Sequence, residues 1–338
     1  MSSNAATRTE HDAVYRLIMA GWGTQVIRTL ASLSVAEHLD VGPLTAGEIA
    51  ERLSSNPAMT YRLLRAAAAL GFLAYDPGTT QFSGTAMMGI LHGDSPLSLK
   101  HYALTTASEV FWLPGLRLPE TVVNGRNHAE DVLGCTPFEY FAQHERDARI
   151  FSVAMTELSR PVIAEAVPAI DIGNAQLVVD VGGADGAFLA ALLERHQYLH
   201  GTVLDLRQAT AGVADEAQRR GLADRMTGLA GDFFEELPSA DLYLVKFILH
   251  DWDDESCLRI LTNIRRAMNP GARVIIVEMT ADTETLEASL MDVAMMFAFT
   301  GQEREQHHFE SLVSAAGLRT SRTLQLHRPY LLIEAVAA

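Results

Sequence analysis

Residues 244–256 read LVKFILHDWDDES, an apolar run that carries one lysine, ends on a histidine and is followed by a tryptophan and a cluster of acids. A neutral imidazole exchanges a proton near neutral pH because its ordinary pKa is close to 6.5, so His250 is a candidate general base. Lys246 raises a different demand, since a lysine buried without a partner is costly. Further carboxylates end other apolar runs: Asp180 in LVVDV, Asp205 in TVLDL and Glu278 in ARVIIVE, with Glu303 following in GQERE. A carboxylate on the far imidazole nitrogen fixes the tautomer and stabilises the imidazolium, a role open to Glu278 and Glu303. Asp251 and Asp253 are nearer in sequence and read as capping or orienting the loop into the next helix, with Trp252 packing that loop. Cys135 and Cys257 match no metal or redox spacing. His307 and His308 are neighbours that point apart on a helix, with no carboxylate-histidine spacing beside them, so no metal is expected.

The elements that must position these groups begin at about residue 175. QLVVDV, GTVLDL, DLYLVKFIL and ARVIIVE alternate with AFLAALLERHQ and ESCLRILTNIRRAM, the pattern of a largely parallel sheet covered by helices on both faces. LRTSRTLQLHRPYLLIEAVAA predicts two closing strands. Ligands of such sheets sit beyond the carboxyl ends of the strands, where Asp180, Asp205, Lys246 and His250 fall. In LVVDVGGADGAFLAALL, a strand, a glycine turn and a helix follow one another; Gly182 and Gly183 allow the tight bend and Gly186 a close approach. Asp205 is placed to accept both hydroxyls of a ribose. In GDFF, Asp232 can accept adenine amino hydrogens while Phe233 packs on the base. Asp180 and Asp205 beside one turn suit a cofactor with a positive amino group and no phosphate better than a pyrophosphate, which favours S-adenosylmethionine over NAD. Lys246 would be neutralised by Asp232 or used near the cofactor.

The first third is helical. AVYRLIMAGWGTQVIRTLASLSVAEHL, residues 13–39, has helical apolar spacing. Thr45 with Glu48 three residues later makes a capping box, TYRLLRAAAALGFL reads as a helix stopped by Gly71, and residues 73–88 form short strand arms around a Pro-Gly turn. Two short helices and a hairpin make a winged helix-turn-helix, a motif that often reads DNA. Its second helix offers only Arg62 and Arg65 beside Ala67, Ala68, Ala69 and Leu70, and a net charge of -16 repels polyanions, so no nucleic acid partner is expected. No apolar stretch is long enough to cross a bilayer and the N-terminus lacks a signal pattern, so a cytoplasmic protein without a membrane partner is expected. A chain of 338 residues suggests two domains, placed at 10–100 and at 101–338, the latter with connecting helices over 101–170 and a core over 171–338.

With these residues in this order, the chain resembles the S-adenosylmethionine-dependent O-methyltransferases of the plant caffeate and flavonoid type, especially bacterial relatives that modify polyketides and other aromatic natural products. The marks are LVVDVGGADG, VLDL, GDFF, KFILHDWDDE, and VEMT followed by GQERE, and the likeness spans nearly the whole chain. It implies an α/β, Rossmann-like methyltransferase domain with an N-terminal helical winged-helix dimerisation domain, and a homodimer. It also implies that Gly182, Asp205, Leu206, Asp232, Phe233 and Lys246 serve the cofactor, that His250 is the base and that Glu278 and Glu303 orient it. Met155 and Met295 match residues around the acceptor ring, and Phe299 stands near a pocket position that is polar in plant members. Departures are Ala184 in place of a third glycine, Phe299, and the pair His307 and His308. The expected reaction is methyl transfer to a phenolic or enolic hydroxyl of an aromatic small molecule in secondary metabolism, without a metal. The alternatives are transfer to nitrogen or carbon, a diverged enzyme that no longer methylates, and a ligand-sensing winged-helix regulator.

Overall fold

The computed structural model describes residues 7–282 and 285–338, in one unit ending at Ser108 and a second beginning at Glu109. In the first, the helix Arg8–Ser32 leaves Val14, Tyr15, Leu17, Ile18 and Trp22 exposed and buries Leu30 and Ala31 at its far end. Ser34, at φ 51°, ends this run before the short helix Val35–His38. Thr45 and Glu48 form the expected capping box on the helix Ala46–Arg52. The next helix, Pro57–Ala69, starts earlier than its apolar spacing suggests, because the Asn56 side chain accepts from the amides of Ala58 and Met59. Three short antiparallel strands, β1 (Leu44–Thr45), β2 (Leu73–Asp76) and β3 (Gln81–Gly84), order as β1-β3-β2. Ile49, Leu64, Leu73 and Phe82 close the core of this winged helix.

The second unit is built on seven strands: β4 (Leu177–Val181), β5 (His200–Asp205), β6 (Met226–Ala230), β7 (Ala240–Lys246), β8 (Met268–Met279), β9 (Leu318–Gln325) and β10 (Tyr330–Ala337). Their order is β6-β5-β4-β7-β8-β10-β9, parallel from β6 to β8 and antiparallel where β10 joins β8 and β9. Side chains alternate between two buried faces. Val178, Leu242, Leu244 and Ile275 meet Val162, Ile163, Phe188 and Leu192 on one side, and Val179, Tyr243, Val245 and Ile276 meet Ile260, Leu261, Phe309 and Val313 on the other. Burial on both faces is why these strands read as continuous apolar runs.

Within the connecting helices expected over 101–170, the stretch 136–158 divides at His144 into the helices Pro137–Gln143 and Glu145–Ala169. The longer helix continues through Pro161 and Pro168, because Val162, Ile163, Ala166 and Val167 are all buried against the sheet and their packing offsets the lost backbone bonds. It therefore carries Met155, Thr156 and Ser159 past the carboxyl ends of β4 and β7.

Candidate active site

A cavity of about 320 Å³ opens in the second unit at those strand ends, lined by the glycine turn, the segments after β5, β6 and β7, and one face of the helix Glu145–Ala169. The turn is sterically tight. Gly182 has φ +67°, and a Cβ there would lie 2.3 Å from Ile248 Cδ1; at Gly186, φ +79°, it would lie 2.2 Å from Met226 Cε. Ala184, in the third-glycine position, accepts a left-handed φ of 50°. Its amide donates to Asp205 Oδ2 at 2.9 Å, and the Leu206 amide donates to Asp205 Oδ1 at 2.7 Å. Burial raises the Asp205 pKa while these two bonds oppose the rise. Asp232 Oδ1 accepts from the Phe234 amide at 2.8 Å, beside the Phe233 ring on the cavity wall.

Asp180 was expected to face this crevice, yet it lies behind the turn, 1% exposed and outside the lining. It stands next to last in β4, and its Oδ2 accepts from the Leu189 amide at 3.3 Å. Burial pushes its pKa up to about 7 against the pull of Lys246. Lys246 lines the cavity and donates from Nζ to Ser159 Oγ at 2.7 Å. Burial lowers its pKa, and the charges that oppose this are Asp180, Asp185 and Glu278 rather than the expected Asp232. Asp185 itself is held by the Thr156 hydroxyl at 2.7 Å, a bond that ties the long helix to the glycine turn.

His250 stands on the cavity wall just after β7, with Nδ1 2.8 Å from Glu303 Oε1 and Nε2 3.6 Å from Asp251 Oδ1. Glu303 accepts from Nδ1–H, which leaves Nε2 for proton exchange. Burial disfavours the imidazolium, but Glu303, Asp251 and Glu278 outweigh it and raise the pKa to about 10. The sequence suggests a neutral imidazole; three surrounding carboxylates instead keep it protonated near neutrality. Asp251, partly buried beside it, is pushed up to about 6 by desolvation, with His250 opposing. It lines the cavity, while Asp253 alone caps the following helix by accepting from the Ser256 amide at 2.8 Å.

Glu278 does not hold the imidazole ring. Its Oε1 accepts from the amides of Ile248 and Leu249 at 2.9 and 2.7 Å, while Oε2 is buried without a hydrogen-bond partner. The strand end aims it under the backbone of the His250 loop, and burial pushes its pKa up to about 7. The two acids thus divide the work, one on the ring and one on the backbone beneath it.

Met155 lines the cavity, whereas Met295 and Phe299 lie outside the lining, 4% and 6% exposed. They pack in a small cluster with Phe111 and Phe138, with the Phe299 ring 5.3 Å from Phe138. They therefore back the wall, and Phe138 forms its surface. Trp252 stacks on Phe138 at 5.7 Å and 11°, with the Phe234 ring edge-on at 4.8 Å. Phe141 and Phe151, stacked at 4.5 Å, continue this aromatic lining. Sequence periodicity leaves the aromatics of 136–158, Phe138, Phe141 and Phe151 among them, open between core and cavity wall, and sequence reasoning missed Thr156, Asp185 and Ser159. The available signal was the spacing of Ser152, Met155, Thr156 and Ser159, which puts them on one face of a helix.

Comparison with known proteins agrees with this architecture. Residues 116–319 match the O-methyltransferase domain family and residues 15–112 the O-methyltransferase dimerisation domain family. The chain is 32% identical to the mitomycin biosynthesis 6-O-methyltransferase of Streptomyces lavendulae, over 95% of this chain and 92% of that one. Among solved structures, a mitomycin 7-O-methyltransferase superposes with a TM-score of 0.91 at 29% identity, covering 98% of both chains. An O-methyltransferase from neocarzinostatin biosynthesis, in complex with S-adenosylmethionine and 2-hydroxy-5-methyl naphthoic acid, superposes with a TM-score of 0.80 at 27% identity over 94% of this chain and 96% of that one. The chain belongs to the O-methyltransferase family, as an O-methyltransferase with an N-terminal dimerisation domain.

Proposed function

We propose that this enzyme transfers a methyl group from S-adenosylmethionine to a phenolic or enolic hydroxyl of a flat aromatic small molecule, with His250 as the proton acceptor. The observation that carries the reading is the His250 ring, held at Nδ1 by Glu303 with Nε2 left over, on the wall of a cavity lined by phenylalanines and Trp252. The neocarzinostatin-pathway relative, crystallised with a hydroxynaphthoic acid, supports an aromatic acceptor.

The residues at the glycine turn fit the cofactor. Gly182 leaves a surface that a Cβ would fill, Asp205 offers a half-buried carboxylate for ribose hydroxyls, and Asp232 and Phe233 border a slot for a base. Leu206 lies beside Asp205 on the same lining. Lys246, held by Ser159, supplies a cation for a carboxylate, and Asp185 a carboxylate for an ammonium. S-adenosylmethionine supplies an electrophilic methyl group on a sulfonium.

His250 and the acceptor share one proton. A phenol has a reference pKa of about 10, close to the value of about 10 held by His250, so transfer between them is nearly isoenergetic and the imidazolium-phenolate pair is accessible. The phenolate oxygen attacks while His250 retains the proton, later released to solvent. Glu303 fixes the ring and Glu278 supports the backbone beneath it. Phe138, Phe141 and Trp252 exclude water and hold a planar guest by its faces.

The exposed apolar side chains Tyr15, Leu17, Ile18 and Trp22, within the dimerisation domain, support a homodimer that buries them. The bacterial antibiotic relatives support a place in secondary metabolism. The test is mass-resolved turnover of a panel of aromatic hydroxy compounds with S-adenosylmethionine, run beside His250→Gln. A product gaining one O-methyl group, with turnover strongly reduced in the variant, is expected. Equal O-methylation by the variant would remove His250 from the mechanism, and methylation at nitrogen or carbon would replace the reaction.

A further inference from the structure

Arg304 follows Glu303 in the chain and is 1% exposed, the largest fully buried side chain among the described residues. Its guanidinium has five N–H donors, and their acceptors surround the loop that carries His250. Nη1 donates to the Leu249 carbonyl at 2.7 Å and more weakly to the Gln302 carbonyl at 3.5 Å; Nη2 donates to the Trp252 carbonyl at 2.7 Å. Nε and Nη2 both reach Asp254 Oδ1, at 3.0 and 2.8 Å, and the other oxygen of Asp254 meets His308 Nε2 at 2.8 Å.

The arginine backbone is anchored as well. It bridges Thr280 at the end of β8, and its carbonyl accepts from the Ala281 amide at 3.0 Å. On the same segment, Gly301 passes so close to the His250 loop that a Cβ would lie 1.9 Å from the His250 carbonyl oxygen. The two carbonyls held at 2.7 Å belong to residues 249 and 252, on either side of His250, and the residue before Arg304 holds the His250 ring. One guanidinium thereby fixes the position of the His250 backbone relative to the carboxylate that orients its ring. A single-headed ammonium could satisfy one of these acceptors and would leave others buried without a donor.

We propose that Arg304 is a positioning residue for methyl transfer, locking the His250 loop against the Glu303 segment, with the Asp254–His308 pair as its outer buttress. The proposal rests on His250 as the proton acceptor. Arg304→Lys and Asp254→Asn are compared with wild type in the full-length enzyme, with active sites counted by S-adenosylhomocysteine titration. Arg304→Lys should lower kcat per binding site on the order of 10²-fold, since misplacing a reacting group by about 1 Å has that effect, with S-adenosylhomocysteine affinity unchanged and the ascending limb of the kcat profile displaced. Normal kcat per site with an undisplaced limb would overturn the proposal, even if the melting temperature fell. If Arg304→Lys yields no folded protein, Asp254→Asn decides: kcat reduced by about threefold or more with a displaced limb supports the lock, and unchanged kcat overturns it. His250→Gln run in parallel separates the two readings. Undiminished O-methylation by that variant would defeat the base assignment itself, whereas an inactive His250→Gln beside a fully active Arg304→Lys would defeat only the lock.

Discussion

Replacing Glu303 with glutamine keeps an acceptor for His250 Nδ1 but removes the charge that stands 2.8 Å away. At an effective dielectric of about 20, a charge pair at that separation is worth about 6 kcal/mol, and one pKa unit corresponds to about 1.4 kcal/mol. Glu303 is the foremost of the carboxylates that raise His250 to about 10. Neutralising it should lower the imidazolium pKa by about four units. The sign follows from the direction of the shift: a raised pKa holds the proton at neutral pH, so wild-type turnover climbs as pH rises toward that value. In Glu303→Gln the climb should move to lower pH. The plateau beyond it should fall by on the order of 10² to 10⁴, because the imidazolium formed on accepting the proton has lost its counter-charge. The assay is kcat at saturating cofactor and acceptor from about pH 6 to about pH 10.5, with product measured by mass spectrometry. A limb that stays in place, or moves to higher pH, would refute the electrostatic reasoning.

Two further outcomes follow from buried charges. Glu278 is raised from 4.5 to about 7 chiefly by burial, so between those values the unfolded chain releases its proton first and the folded state loses stability as pH rises. Glu278→Gln should therefore gain thermal stability relative to wild type as pH passes through that window, and a melting-temperature difference that is flat from pH 4.5 to 7 would contradict it. Lys246→Met removes the cation bonded to Ser159; a charge-assisted hydrogen bond of about 1.5–3 kcal/mol implies S-adenosylhomocysteine binding weaker by about tenfold to a hundredfold. Calorimetry showing an unchanged Kd would remove Lys246 from the cofactor site.

Much of the scaffold was legible in the sequence. The strands β4, β7 and β8 are buried on both faces, so their residues are apolar nearly throughout, and that constraint is visible as LVVDV, broken only by Asp180, and as LYLV and VIIV. Thr45 with Glu48 satisfies backbone donors locally, within four residues, and needs no tertiary partner to be recognised. The helix Leu286–Ala298 was harder, because apolar residues appear all around it and its periodicity does not say which of them face a cavity. Met295 and Phe299 consequently stand behind the wall that Phe138 completes from a segment more than a hundred residues away.

Covalent order by itself determined the parallel sheet, the glycine turn after β4, the acid ending β5 and the placement of His250 where β7 stops, since each depends on local conformation or on the period of a buried element. Tertiary structure alone decided that Glu303 takes the imidazole while Glu278 takes the backbone, that Asp180 lies behind the turn, and that His250 holds its proton up to about 10. The reason is physical. A strand's burial is written in its own residues, whereas a pKa and a hydrogen-bond partner are sums over distances between segments that only the folded chain brings together.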